Sequence, residues 1–163
     1  MTVDAPLADL ARSFRFNERL LDVETEGFEP ADWDSPAGER GGNAARWILA
    51  HVTLYRRRIL RKLGEGVAEE PWEAVVDQGV KTAEVSTLPQ PPELRARFVA
   101  AGEALGRRLS VLTAADVERE SGDFHPDGGR TVADWVRFLY FHEGYHLGQV
   151  GLIRRLRGRP GFA

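Results

Sequence analysis

TVADWVRFLYFHEGYHLGQVGLIRRLRG, residues 131–158, is the stretch whose reading decides the fold. Thr131 and Asp134 have the spacing of a capping box, a side-chain exchange that satisfies the first free amides of a helix. Val132, Trp135, Val136, Leu139, His142, Tyr145, His146, Gln149, Val150 and Ile153 then recur at helical spacing to about Gly158. A helix of that length is roughly 40 Å long at 1.5 Å per residue. Inside it, His142 and His146 stand four apart, so their rings leave one face one turn apart. That spacing lets two imidazole nitrogens reach one metal ion at about 2.0–2.1 Å.

Working outward, three more segments carry the same periodicity. The first starts near Asp4, with Pro6 in its opening turn. Leu7, Leu10, Ala11, Phe14, Asn17 and Leu21 form its stripe to about Glu24, and Gly27 and Pro30 end it. A breaker-rich loop, EPADWDSPAGERGG, follows at 29–42. The second segment takes Asn43 as N-cap, lines up Trp47, Ile48, His51, Leu54, Tyr55, Ile59 and Leu63, and stops at Gly64. Residues 64–90 are irregular, apart from a short helical piece near Trp72–Val76. The third segment opens on proline after the Pro89, Pro91 and Pro92 cluster and aligns Leu94, Phe98, Ala101, Leu105, Leu109 and Leu112. A linker from Thr113 to Arg130 holds Pro126 and the turn signal Asp127-Gly128-Gly129. No segment alternates with a two-residue period. The expectation is all-α: one domain over 1–163, an antiparallel four-helix bundle with long loops between its helices.

Composition narrows the chemistry. With 163 residues and 42% hydrophobic content, the chain can bury one continuous core. It has no cysteine, which removes disulfides, thiolate metal sites and a cysteine nucleophile, so any thiol chemistry uses a thiol from outside. A net charge of -3 gives no global field for polyanions, so nucleic acid is not expected. Arg56-Arg57-Arg58, Arg61-Lys62 and the arginines at 154, 155, 157 and 159 read as a solvated helix face and as cations near helix C-termini. No apolar run reaches the roughly 20 residues that cross a bilayer, and MTVDAPLADL lacks a basic start and an apolar core, so a cytoplasmic location is expected.

HEGYH matches H-E-x-x-H, the helix motif of zinc proteases. Those enzymes take a third ligand downstream, yet LGQVGLIRRLRGRPGFA contains no His, Asp or Glu. The third ligand therefore comes from upstream, and His51 is the histidine on a core stripe. Three polar rings converging in a bundle interior are costly without a common partner, and a metal ion supplies one. Three neutral ligands leave the ion its full charge and an open position, which points to catalysis or ligand binding. Around this triad, Gln149 is placed to orient a ligand or bound water. Asn17 is a polar residue on an apolar stripe, either donating into the pocket or capping a backbone group. Glu143, about 100° round the helix from His142, is either a base or a solvent-facing charge. Trp47 and Tyr55 flank His51 as walls, and His125, in the loop before the last helix, is either a mobile loop acid or base or a surface residue.

At these residues the chain resembles the DinB/YfiT-like superfamily of four-helix-bundle metalloenzymes, over nearly its whole length. FNERLLDV at 16–23 is similar to that family's first helix and NAARWILAHVTLYRR at 43–57 to its second. LPQPPELRARFVAAGEAL at 88–105 is similar to the entry of its third, and residues 131–158 to its fourth, with HxxxHxxQ the most specific part. The resemblance implies His51, His142 and His146 as ligands of one divalent ion (zinc, nickel, iron or manganese), with Gln149 at a position commonly Gln or Asp. It also implies a small-molecule substrate and a homodimer. Members include transferases that use low-molecular-weight thiols such as bacillithiol or mycothiol; a mycothiol-dependent isomerase branch generally carries a carboxylate ligand, unlike the all-histidine set here. The function expected is thiol-dependent S-transfer, with a metal-dependent hydrolase or a non-catalytic metal-binding stress-response module as alternatives.

Overall fold

A computed structural model of the chain describes residues 5–38, 41–77, 85–123 and 125–162. Helix α1 spans Ala8–Thr25, α2 Pro30–Asp34, α3 Ala45–Lys62, α4 Pro91–Leu109, α5 Ala114–Glu118 and α6 Val132–Leu156. No strand occurs among the described residues, only an isolated bridge between Glu120 and Thr131. The expected bundle is therefore present, formed by α1, α3, α4 and α6.

Side-chain contacts fix the direction of each helix. Arg46 reaches the carbonyls of Leu88 and Pro89 at one end of α3, and Arg108 reaches the Leu63 carbonyl (3.0 Å) at the other, so α3 and α4 run parallel. Phe14 meets Tyr140 and Arg154 reaches the Glu26 carbonyl (2.6 Å), so α1 and α6 are also parallel. Trp47 lies beside His146 while Lys62 covers Trp135, which makes α3 and α6 antiparallel. Arg95 pairs with Asp22, and Arg15 lies beside Gly106, so α1 and α4 are antiparallel too. In chain order the helices run up, down, down, up, with α1 diagonal to α3 and α4 diagonal to α6.

That order explains the loops. A parallel successor to α3 requires the chain to travel back along a helix of about 27 Å, which takes at least about eight extended residues. Residues 63–90 span this return; among the described ones, 3-10 turns form at Pro71–Val75, where the sequence predicts a short helical piece, and at Val85–Thr87. The reversal at its start uses Gly64, whose φ of 89° lies in the left-handed region glycine favours, with Glu65 N–H bonded back to the Leu60 carbonyl at 2.9 Å.

Several boundaries differ from the sequence reading. α1 begins at Ala8, after a turn through Pro6 and Leu7; Asp4 lies outside the described residues. α3 is capped by Ala44 in extended conformation rather than by Asn43, because Ala44 is already packed in the core, where an amide would lose its water. α4 ends at Leu109, and Leu112 is buried from the loop beyond it. Two single-turn helices, α2 and α5, lie in the segments expected as a breaker-rich loop and a linker; each carries a capping box, Glu29 with Asp32 and Thr113 with Asp116. The Thr131–Asp134 box of α6 forms as expected, with Asp134 N–H donating to Thr131 Oγ1 at 3.1 Å.

Candidate metal centre

Three histidines meet between α3 and α6. His142 Nε2 lies 3.1 Å from His146 Nε2 and 3.3 Å from His51 Nε2, and one nitrogen from each of the three falls within 4.8 Å of the others. Four ligands at 2.0–2.1 Å around a tetrahedral ion stand about 3.3 Å apart, so the spacing is that of a coordination shell.

The outer ring nitrogens settle which protons the imidazoles carry. His51 Nδ1 is 2.5 Å from the Val76 carbonyl. A carbonyl only accepts, so Nδ1 holds the proton and Nε2 presents its lone pair inward. His146 Nδ1 donates to Gln149 Oε1 at 3.0 Å, with the same consequence. One proton on His142 would satisfy one of its two inward contacts and leave the other as two facing lone pairs. A cation satisfies all three, so the donor set fits a divalent ion. Burial, with the neighbouring His146 adding to it, pulls His51 down to about 4 despite the Val76 hydrogen bond. Burial and the two other rings take His142 to about 3, and burial lowers His146 against the Gln149 bond. All three therefore stay neutral at physiological pH, the form that coordinates.

Aromatic rings wall the centre. Trp47 stacks on His51 with ring centroids 4.6 Å apart. Tyr55 stands edge-on to His51 at 4.9 Å and to His142 at 4.7 Å, while Tyr145 and Phe138 flank His146 and His142. Trp47 and Tyr55 thus flank His51, and Gln149 lies behind His146 as its hydrogen-bond acceptor. Val76 is a support that sequence could not show, because it acts through its carbonyl and any residue offers one. Holding Val76 in place is an ion pair one residue on, where Arg58 binds both oxygens of Asp77 at 2.8 and 2.6 Å.

Three candidates sit elsewhere. Glu143 is neither base nor solvent-facing charge: it is 3% exposed and binds Arg56 through both oxygens at 2.7 Å. Asn17 donates to Glu143 Oε1 at 2.9 Å, so it serves this pair rather than the pocket or a backbone group. Arg56 is wholly buried, which corrects the reading of its cluster as a solvated face. Its five N–H groups all find acceptors: Glu143 twice, Glu18 Oε1 at 2.6 Å, and the carbonyls of Phe14 and Phe98. One guanidinium therefore ties all four long helices together. Arg154 lies in the last turn of α6, near a helix C-terminus as expected, but is buried on the carbonyls of Glu26 and Pro160. His125 is likewise buried, with Nε2 2.6 Å from Ser121 Oγ, fastening the loop that leads into α6.

An up–down–down–up bundle with an all-histidine centre between two antiparallel helices defines a class of metal-binding helical proteins. The DinB superfamily model matches residues 13–150, and the chain belongs to that superfamily. Among solved structures it is similar to YfiT from Bacillus subtilis, described as a probable metal-dependent hydrolase with an unusual four-helix bundle topology. The two share 17% identity at a TM-score of 0.63, over 93% of this chain and 87% of that one. No curated protein matches the chain. No helix of the described residues is long and apolar enough to cross a membrane.

Proposed function

We propose that the chain is a metal-dependent enzyme acting on a small molecule, with one divalent ion held by His51, His142 and His146. The observation that carries this is the convergence of three Nε2 atoms, from buried His51 and His146 and half-buried His142, at coordination spacing with two Nδ1 groups already anchored. When bound, such an ion supplies Lewis acidity, lowering the pKa of a thiol or water that reaches it and polarising a substrate oxygen.

The residues around the centre favour a thiol as that nucleophile. The only carboxylate of the HEGYH motif is consumed by Arg56, so no protein base stands where a protease would have one. A thiol needs less help, since its ordinary pKa is already near 8.5. The chain has no cysteine of its own, so an exogenous low-molecular-weight thiol fills the role. Trp47 and Tyr55 give His51 an apolar wall, while the Val76 carbonyl and Gln149 hold His51 and His146 in orientation. Along the same face of α3, Arg58 and Lys62 continue from Tyr55 to a cavity of about 590 Å³ bounded by Asp123 and Trp135. Its cations are paired, Arg58 with Asp77, Arg61 with Glu73 and Lys62 with Asp123, which agrees with a small substrate and not with a polyanion.

Hydrolysis is the second reading, favoured by the description of YfiT. Elemental analysis of protein purified without added metal should find one ion per chain, lost in His51→Ala, H142A and H146A. Metal-loaded protein assayed with several thiols and monochlorobimane should show metal-dependent conjugation. Ester or amide turnover without thiol dependence would select hydrolysis, and absence of an ion from the wild type would sink both.

A further inference from the structure

Two cavities of about 590 and 470 Å³ lie along α3 beyond Tyr55, and Arg58, Arg61 and Glu69 border both. Each falls in the size range of small-molecule sites, about 300–1,000 Å³. The three charges at the common border come from two elements, the arginines from α3 and Glu69 from the return segment. Arg57 and Arg61 each donate through Nη2 to the Ala68 carbonyl, at 2.6 and 3.0 Å. Arg61 Nε donates to the Val67 carbonyl at 2.8 Å. The backbone leading into Glu69 is thereby clamped to α3.

The Glu69 side chain is left over. Glu65, Glu70, Glu73 and Asp77 of the same segment each pair with an arginine, whereas no ion pair reaches Glu69 among the described residues. Its two neighbours across the cavities are turned elsewhere. Arg58 gives Nη1 and Nη2 to Asp77, and Arg61 gives Nη2 to Glu73. A guanidinium has five N–H groups, so both arginines keep donors, Arg61 those of Nη1. A carboxylate and two guanidiniums therefore border one space without touching.

We propose that this border binds the α-amino-acid group of the substrate, its carboxylate on Arg58 and Arg61 and its ammonium on Glu69. A simple carboxylate would gain the arginines but meet Glu69, and a simple amine would gain Glu69 but meet two guanidiniums. A zwitterion gains both kinds of charge-assisted hydrogen bond, with its two charges one carbon apart. The far wall offers no competing charge, because Lys62 is paired with Asp123 over the Trp135 ring.

The way from this border to the histidines runs past Tyr55. The Arg58 guanidinium lies 5.2 Å from the Tyr55 ring centroid, and that ring lies 4.7 Å from the ring of His142. His142 is also the half-buried member of the triad, so the centre is accessible there. An amino-acid head held at Arg58 thus directs its side chain along Tyr55 to the centre. That last step rests on the metal reading above; the head-group site does not.

Isothermal titration calorimetry of the full chain with L-norleucine, hexanoate and pentylamine tests the head group by deletion. Hexanoate is norleucine without its ammonium, and pentylamine is norleucine without its carboxylate. Norleucine should bind at least about tenfold tighter than either, the effect of one charge-assisted hydrogen bond. Glu69→Gln, at an exposed position, should bring norleucine down to the level of hexanoate and leave hexanoate no weaker. Norleucine that binds no tighter than hexanoate, or equally well to Glu69→Gln, overturns the proposal. Binding that Glu69→Gln leaves intact and His51→Ala removes overturns it too, by placing the amino acid on the ion. A chain that holds no ion yet binds norleucine through Glu69 would sink the metal reading and uphold the head-group site. For the last step, norleucine should shift the visible spectrum of cobalt-loaded wild type and not that of Glu69→Gln. An unchanged wild-type spectrum with norleucine bound would overturn that step alone.

Discussion

Glu143 shows how the same residue type acquires opposite meanings from its position on a helix. In HEGYH it occupies the slot of a catalytic base, yet it falls on the stripe of Val136, Leu139, Leu147 and Val150, all buried. A carboxylate on that stripe must find a cation inside the bundle, and Arg56, on the stripe of Val52 and Ile59, is that cation. Both were legible as charged residues at core register; reading the arginine triplet as one solvated run concealed the second. Breaking a buried pair by removing one partner costs about 3–5 kcal/mol, since the other charge stays behind unpaired. Glu143→Ala should therefore lower the thermal midpoint by on the order of 10 °C, while the folded variant still binds one ion per chain in elemental analysis. Loss of the ion with unchanged stability would return Glu143 to the metal site. Gly102 belongs to the same device, because a Cβ there would overlap Glu18 Oε1 and the Arg56 guanidinium.

Elements were legible in proportion to the length of their pattern. α6 repeats its stripe over six turns and begins with a capping box, so its start was read correctly. α2 and α5 are single turns whose capping boxes use Glu29 with Asp32 and Thr113 with Asp116, too short for any period to emerge. The return segment 63–90 was the least readable. It is also the element that supplies the Val76 carbonyl to His51, because it must retrace α3 to make α4 parallel to it. Its grip on α3 near the site is the Arg58–Asp77 pair, with both partners about a third exposed, so the pair itself stabilises the fold by less than about 1 kcal/mol. Its larger effect is on the ligand. Asp77→Asn should weaken metal affinity by roughly tenfold, the range for loss of a ligand's outer support, and leave the thermal midpoint of metal-free protein nearly unchanged. Titration with a competing chelator beside a melting curve separates the two; an equal loss of both would mean that the segment is merely structural.

At the scale of the whole molecule, bundle, core and histidine set followed from the sequence, because periodic apolar residues and three imidazoles on core faces admit few arrangements. The up–down–down–up order did not, since direction depends on loop paths that carry no periodic signal. That order separates two centres of gravity. The core and the Arg56 network join all four helices without a metal, whereas the histidine centre joins only α3 to α6. The fold should then survive removal of the ion, which distinguishes an active centre from a structural one. Ligand present at a hundred times its Kd adds about 2.7 kcal/mol, or on the order of 5–10 °C for a domain of this size. Stripping the ion should lower the midpoint by that amount and leave helical circular dichroism at room temperature intact. His51→Ala should melt where stripped wild type does and gain nothing from added zinc. A stripped protein that is unfolded at room temperature would make the ion part of the scaffold and favour the non-catalytic module over the enzyme.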